Sequence, residues 1–175
     1  MNEVLTSDEQ EDQPLDLEEW AELAGRVLDA EEAQGELSLA FVSEAVMADL
    51  NQRFRGRSGP TDVLSFPIDE QPGAGQPGAE QVSNADAPGE QPVMLGDVVI
   101  CPAVAVANAA DHGQSLDDEI ALLVVHGILH LRGMDHEDET EAAAMEEREC
   151  QLLADRRTDR RTDRRTDRRT SCRTC

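Results

Sequence analysis

The segment from Ser115 to His136 limits the possible folds more than any other. Ser115 is a good helix N-cap, and Asp117, Asp118 and Glu119 stand in the first turn, where the helix dipole favours anions. From Ile120 to Leu131 the helix is then apolar nearly all round, which suits only a central, buried position. His126 and His130 are set into that run one turn apart, and so on one face. Gly133 ends the helix, since glycine reaches the left-handed cap conformation without steric penalty, and the chain can turn back to bring in His136. Three imidazoles with one position left to water are the pattern of a catalytic zinc, whereas a structural zinc normally has four protein ligands. A lone histidine on an apolar helix is usually a core residue. Three at this spacing, with a glycine at the bend, point instead to one metal ion on His126, His130 and His136.

The 175 residues suit a single domain, large enough to bury a core without disulfides. No apolar run is long enough to span a bilayer, and the N-terminus lacks the basic and apolar regions of a signal peptide, so a cytoplasmic protein with no membrane partner is expected. Cys101 and Cys150 sit in apolar segments and read as small buried hydrophobes of a reducing compartment. Cys172 and Cys175 end a low-complexity tail and carry no site.

Charge is unevenly spread. All 15 basic residues are arginine, against 38 acids, for a net of −23. The tail from Asp155 holds nine arginines and four aspartates, which leaves the first 154 residues with six arginines against 34 acids. Such a body argues against general nucleic-acid binding, which needs a basic surface. Yet Arg53, Arg55 and Arg57 lie within five residues, and Arg132 lies inside the histidine motif. Together these two segments are expected to form a local anion-binding patch on an otherwise repelling surface.

Along the chain, Glu3 to Thr6 reads as a short strand, followed by a mobile acidic connection over Ser7 to Gln13. Leu17, Trp20, Leu23, Ala24, Val27 and Leu28 recur at helical spacing within a helix from Asp16 to about Ala33. Glu36 to Val42 alternates like a half-buried strand. Ser43 caps a second helix that runs out at Gly56, and Thr61 to Pro67 is a strand closed by proline. Residues 68–92 are rich in Gly, Pro, Gln and acids and predict a flexible insertion, after which the strand pattern resumes over Met94 to Cys101. Pro102 opens a helix that Gly113 ends, and Asp138 caps a last helix through Leu153. The domain is thus residues 1–154, and 155–175, with four copies of Asp-Arg-Arg-Thr, is expected to be a disordered tail.

The spacing His-x3-His-x5-His with the intervening glycine is the ligand pattern of a class of zinc proteases, but those place a glutamate base directly after the first histidine. Here that position is Gly127. Losing the base removes help typically worth about 10²–10⁴ in rate. A phosphodiester, with a better leaving group than an amide, is the more fitting substrate for the same metal with a cationic clamp.

Three ordered blocks resemble the YbeY endoribonuclease family of bacterial rRNA-maturation factors. They are Leu50-Asn51 with Arg55-Gly56 and Thr61-Asp-Val-Leu-Ser-Phe-Pro67; Leu95-Gly-Asp-Val-Val-Ile-Cys-Pro102; and Glu119 leading into His126-Gly-Ile-Leu-His-Leu-Arg-Gly-Met-Asp-His136. The resemblance covers roughly Glu3 to Leu153. It implies an α+β fold, a small mixed sheet packed against helices with a central metal-bearing helix. It also implies one Zn²⁺ on His126, His130 and His136, with Arg55 as the catalytic arginine on the RNA or the scissile phosphate. The implied activity is single-strand-specific cleavage in late small-subunit rRNA 3′-end maturation and ribosome quality control. Zinc-activated water would attack the phosphodiester. The implied partners are the rRNA precursor, the small ribosomal subunit and its assembly factors, and no DNA. Phe54 and Met134 stand where the family often has tyrosine.

Around these, Arg132 either assists the phosphate or stabilises a helix end, and Asp135 either orients an imidazole or caps a turn. Asp62 and Asp97 read as braces of strand ends, and His112 as a helix-end dipole partner. A zinc-dependent peptidase and a non-catalytic ribosome-assembly factor with structural zinc are the competing readings.

Overall fold

The computed structural model describes the backbone of residues 2–68, 93–134 and 138–170. Along these lie β1 (Glu3–Glu9), α1 (Leu17–Ala30), β2 (Glu36–Val42), α2 (Glu44–Arg55), β3 (Val63–Pro67), β4 (Met94–Ile100), α3 (Pro102–His112), α4 (Leu116–Leu131) and α5 (Glu139–Thr170). The four strands form one mixed sheet in the order β1-β2-β4-β3. β1, β2 and β4 run parallel, and the edge strand β3 is antiparallel to β4. The fold is therefore α+β, as expected. Most of the expected insertion (69–92), Asp135, His136 and the cysteines at 172 and 175 lie outside the described residues. No helix among the described residues is long and apolar enough to cross a membrane.

Strand alternation divides the apolar residues between two faces. On one face Leu37, Leu39 and Phe41 of β2 join Val98 and Ile100 of β4, all fully buried. They pack against the α1 stripe Trp20, Leu23, Ala24, Val27 and Leu28 and against α4. Each such large side chain contributes about 1.5–3 kcal/mol through its burial. The opposite face carries a smaller cluster, where Met47 of α2 meets Val42, Leu64, Val99 and Cys101. Helix α4 is central, touching α1, α3, α5, β3 and β4, and Ile120, Val124, Val125, Ile128 and Leu129 are buried along it. The expected caps form: Ser43, Ser115 and Asp138 each accept a first-turn backbone N–H, and Asp16 does the same at the start of α1.

Two expectations about chain order change. Strand β1 runs on to Glu9, because it pairs with β2 through Glu9–Val42 rather than stopping at Thr6. The acidic connection after it is tied by Gln10, whose Nε2 donates to Gln13 O (2.7 Å) and Asp8 Oδ1 (2.9 Å) while Oε1 accepts from Gln13 N (2.8 Å) and Asp12 N (2.9 Å). At the other end, α5 does not stop at Leu153 but continues as helix through Thr170. Neither Gly nor Pro interrupts the chain between Asp138 and Thr170, so nothing in the backbone halts it. The first tetrad is also anchored to the body. Arg156 is 5% exposed, donates to Asp117 O (2.9 Å) and Glu19 Oε1 (2.7 Å), and lies 4.9 Å from the centre of the Trp20 ring. The ordered body thus extends past the boundary expected at residue 154.

Candidate functional site

Helix α4 places His126 and His130 on the face that meets α5. Their Nε2 atoms stand 3.0 Å apart, and the rings meet edge to face with centroids 4.5 Å apart. From α5, Glu149 brings Oε1 within 2.7 Å of His126 Nδ1, and both side chains are largely shielded (His126 26% and Glu149 13% exposed). A carboxylate there accepts a proton-bearing Nδ1, which leaves the lone pair of His126 on Nε2, aimed at His130. Two nitrogen lone pairs do not rest 3.0 Å apart without a proton or a cation between them. In a tetrahedral zinc site with Zn–N bonds of about 2.0–2.1 Å, two ligand nitrogens are separated by about 3.3–3.4 Å. At 3.0 Å the pair is a few tenths of an ångström closer than that, the length of an N–H···N hydrogen bond, and the donor set suits a borderline-soft divalent ion.

The structure brings together two of the three histidines expected in the site. His136 lies outside the described residues, and among the described residues no group of three His, Cys, Asp or Glu is arranged around a common ion. Gly133, with φ of +84°, occupies the left-handed turn expected of it just after the C-cap at Arg132. Glu149 was not legible as a site residue. It is one acid among many on an amphipathic helix, and its role depends on α5 folding back onto α4.

Gly127, at the position where a zinc protease carries its glutamate base, packs against the sheet. A Cβ there would come within 2.6 Å of Val98 Cγ1 and 3.3 Å of Ser65 Oγ. Ser65 Oγ also donates to the Gly127 carbonyl at 3.0 Å and fastens α4 to the edge strand. A carboxylate at this position has no room, which weighs against the peptidase reading on steric grounds as well as chemical ones.

Arg55 is the last residue of α2, exposed, and followed by Gly56 in the left-handed cap (φ +64°). Its guanidinium has no ion pair or hydrogen bond to a described residue, and the same holds for Arg57. Arg132 turns toward the end of α1, its Nη2 lying 3.5 Å from Glu31 O, a contact that suits a helix-end role. His112 Nδ1 lies 3.2 Å from Glu119 Oε2, a carboxylate that is fully buried and also accepts from Gln114 Nε2. Asp62 braces the start of β3: Oδ1 accepts from Val63 N (2.8 Å) and Oδ2 from Asn108 Nδ2 (3.1 Å).

The family model described as "Endoribonuclease YbeY" matches residues 5–157. The endoribonuclease YbeY of Thermobifida fusca is 47% identical over 144 residues, which cover 81% of this chain and 86% of that protein. The endoribonuclease YbeY of Mycolicibacterium smegmatis is 48% identical over 118 residues, or 67% of this chain. The matched region spans only 62% of that longer relative. A solution structure from Thermotoga maritima superposes with a TM-score of 0.53 over 91% of this chain and 93% of its own, at 24% identity, and bears on the fold alone. By its family model and by its identity to curated relatives, the chain belongs to the YbeY endoribonuclease family.

Proposed function

We propose that this chain is a metal-dependent endoribonuclease that cuts single-stranded RNA during late small-subunit rRNA 3′-end maturation and ribosome quality control. In this reading it works in the cytoplasm with the small subunit and its assembly factors. His126, His130 and His136 would together hold one zinc ion. When bound, such an ion supplies a Lewis acid for a phosphoryl oxygen and lowers the pKa of water to about 7 in suitable sites.

The remaining tasks fall to the chain itself. Glu149 holds the His126 proton on Nδ1 and so keeps Nε2 open as a donor, while its own burial between α4 and α5 keeps the imidazole from rotating. Val98 and Ser65 of the sheet, packed and bonded against Gly127, fix the helix that carries the histidines. Arg55 offers a bidentate fork to two phosphate oxygens, a geometry lysine lacks. The observation that carries this reading is the alignment of Glu149, His126 and His130, with a carboxylate behind one imidazole and two nitrogens converging in front.

The test is a cleavage assay with the full-length chain on single-stranded RNA, duplex RNA and an unstructured peptide, with and without chelator. We expect single-stranded RNA alone to be cut and chelation to abolish cleavage. Cleavage of the peptide alone would overturn the proposal. So would RNA cleavage that survives full removal of the metal. An assembly-only role with structural zinc would show no cleavage of any substrate, with Arg55→Ala leaving cellular function intact.

A further inference from the structure

On the sheet face turned away from α4, helix α2 leaves part of β2, β4 and β3 uncovered. The gap is a groove of about 310 Å³, walled by Leu50, Val99, Phe54 and Phe66, with Ser38 and Asp97 as its polar groups. That volume is at the low end for small-ligand sites, which run to about 300–1,000 Å³. Strand register puts these residues on one face, since Asp97 pairs with both Ser38 and Phe66. Phe54 is 39% exposed, and its ring meets that of Phe66 at 4.8 Å between centroids, inclined by 64°. The Arg53 guanidinium lies 5.5 Å from the Phe54 centroid.

Exposed aromatic rings beside arginines are what sequence-tolerant single-strand binding uses: bases stack on the rings and the cations track the backbone. The charge pattern points the same way. Arg53, Arg55 and Arg57 are half of the six arginines in the first 154 residues, and the last two have no partner among the described residues. The groove also adjoins the histidine helix through a single element. Phe66 faces the groove, while its neighbour Ser65 bonds Gly127 of α4 on the other side of the same strand. β3 is an edge strand. The groove and the histidine helix therefore lie on the two sides of one edge strand.

We infer that this groove is a nucleobase subsite, taking the unpaired base of a nucleotide that flanks the scissile phosphate. The base stacks on the Phe54–Phe66 pair, and Arg57 meets an adjoining phosphate. This rests on the RNA reading above and adds where the strand runs.

The test pairs kinetics with crosslinking. Single-stranded RNA carrying 4-thiouridine at one position beside the cleavage site is irradiated with the full-length protein, and the adduct is mapped by mass spectrometry. We expect adducts on the Phe54 or Phe66 peptides. Phe54→Ala should raise KM about tenfold with kcat within twofold, and Phe54→Trp should restore KM. Wild-type cleavage with no adduct there and an unchanged KM in Phe54→Ala overturns the inference. Normal cleavage of naked RNA by Phe54→Ala, with lost binding to isolated small subunits, also overturns it, in favour of a protein-docking groove. Adducts at Phe54 on a protein that cuts no RNA support the subsite and reject the nuclease reading alone.

Discussion

Glu149 stands 23 residues beyond His126, on a different helix, and its carboxylate is what makes one imidazole a directed donor. Replacing it with glutamine keeps the shape but removes the charge behind the ring. Changes of this kind typically cost about 10–100-fold in metal affinity. We expect Glu149→Gln to lower zinc affinity by that factor in a chelator-competition titration while the thermal midpoint of the metal-free protein stays put. Unchanged affinity would reduce Glu149 to a packing residue. The two cysteines within the domain behave oppositely. Burial pushes the Cys101 thiol above its ordinary range, against smaller opposing backbone hydrogen bonds, whereas Cys150 is exposed. A thiol raised in the folded state adds stability that is present below the ordinary thiol pKa and is lost as pH climbs through the raised value. In the native protein an alkylating reagent near pH 8 should therefore modify Cys150 and spare Cys101, as read by peptide mass spectrometry. The expectation that both were buried fails for Cys150, because α5 turns that position outward. The histidine pair could be read from spacing, since four residues on a helix fix a face. The partner from α5 could not, because tertiary folding alone brings it there.

At the scale of elements, the seat of α4 on the sheet depends on Gly127 having no side chain. Alanine favours a helix over glycine by about 1 kcal/mol. Forcing a methyl against Val98, which is fully buried, costs about 1–3 kcal/mol in overpacking. We expect Gly127→Ala to be net destabilising in urea unfolding; a stabilised variant would mean that α4 can slide away from β4. The join between α5 and the body gives a second test. Arg156→Ala removes a buried guanidinium, its bond to Glu19, its bond to the Asp117 carbonyl and its contact with Trp20. A loss of about 1–3 kcal/mol in urea unfolding is expected, while no loss would return the boundary to residue 154. Three helix starts were legible here because Ser43, Ser115 and Asp138 are cap residues. The end of α5 was not, because composition registers the missing apolar residues of the tetrads but not the partners that one arginine finds on α1 and α4.

For the molecule as a whole, chain order of elements followed from hydrophobic period and turn residues, but the sheet order β1-β2-β4-β3 did not. That order depends on which strands lie next to each other, and it puts β3 at an edge with α4 behind it and the Phe54–Phe66 groove in front. The same arrangement lets a strongly acidic chain approach an anionic substrate, by gathering at the end of one helix three arginines, of which Arg55 and Arg57 have no partner among the described residues. The proposed function requires a single divalent ion shared by three imidazoles, and elemental analysis of the purified chain tests it most directly. One zinc, or another transition metal, per chain in the wild type and none in His126→Ala, His130→Ala or His136→Ala, each still folded by circular dichroism, is the expected result. Wild-type protein that cleaves RNA while holding no metal, or a His136→Ala variant that keeps its full complement, would contradict it.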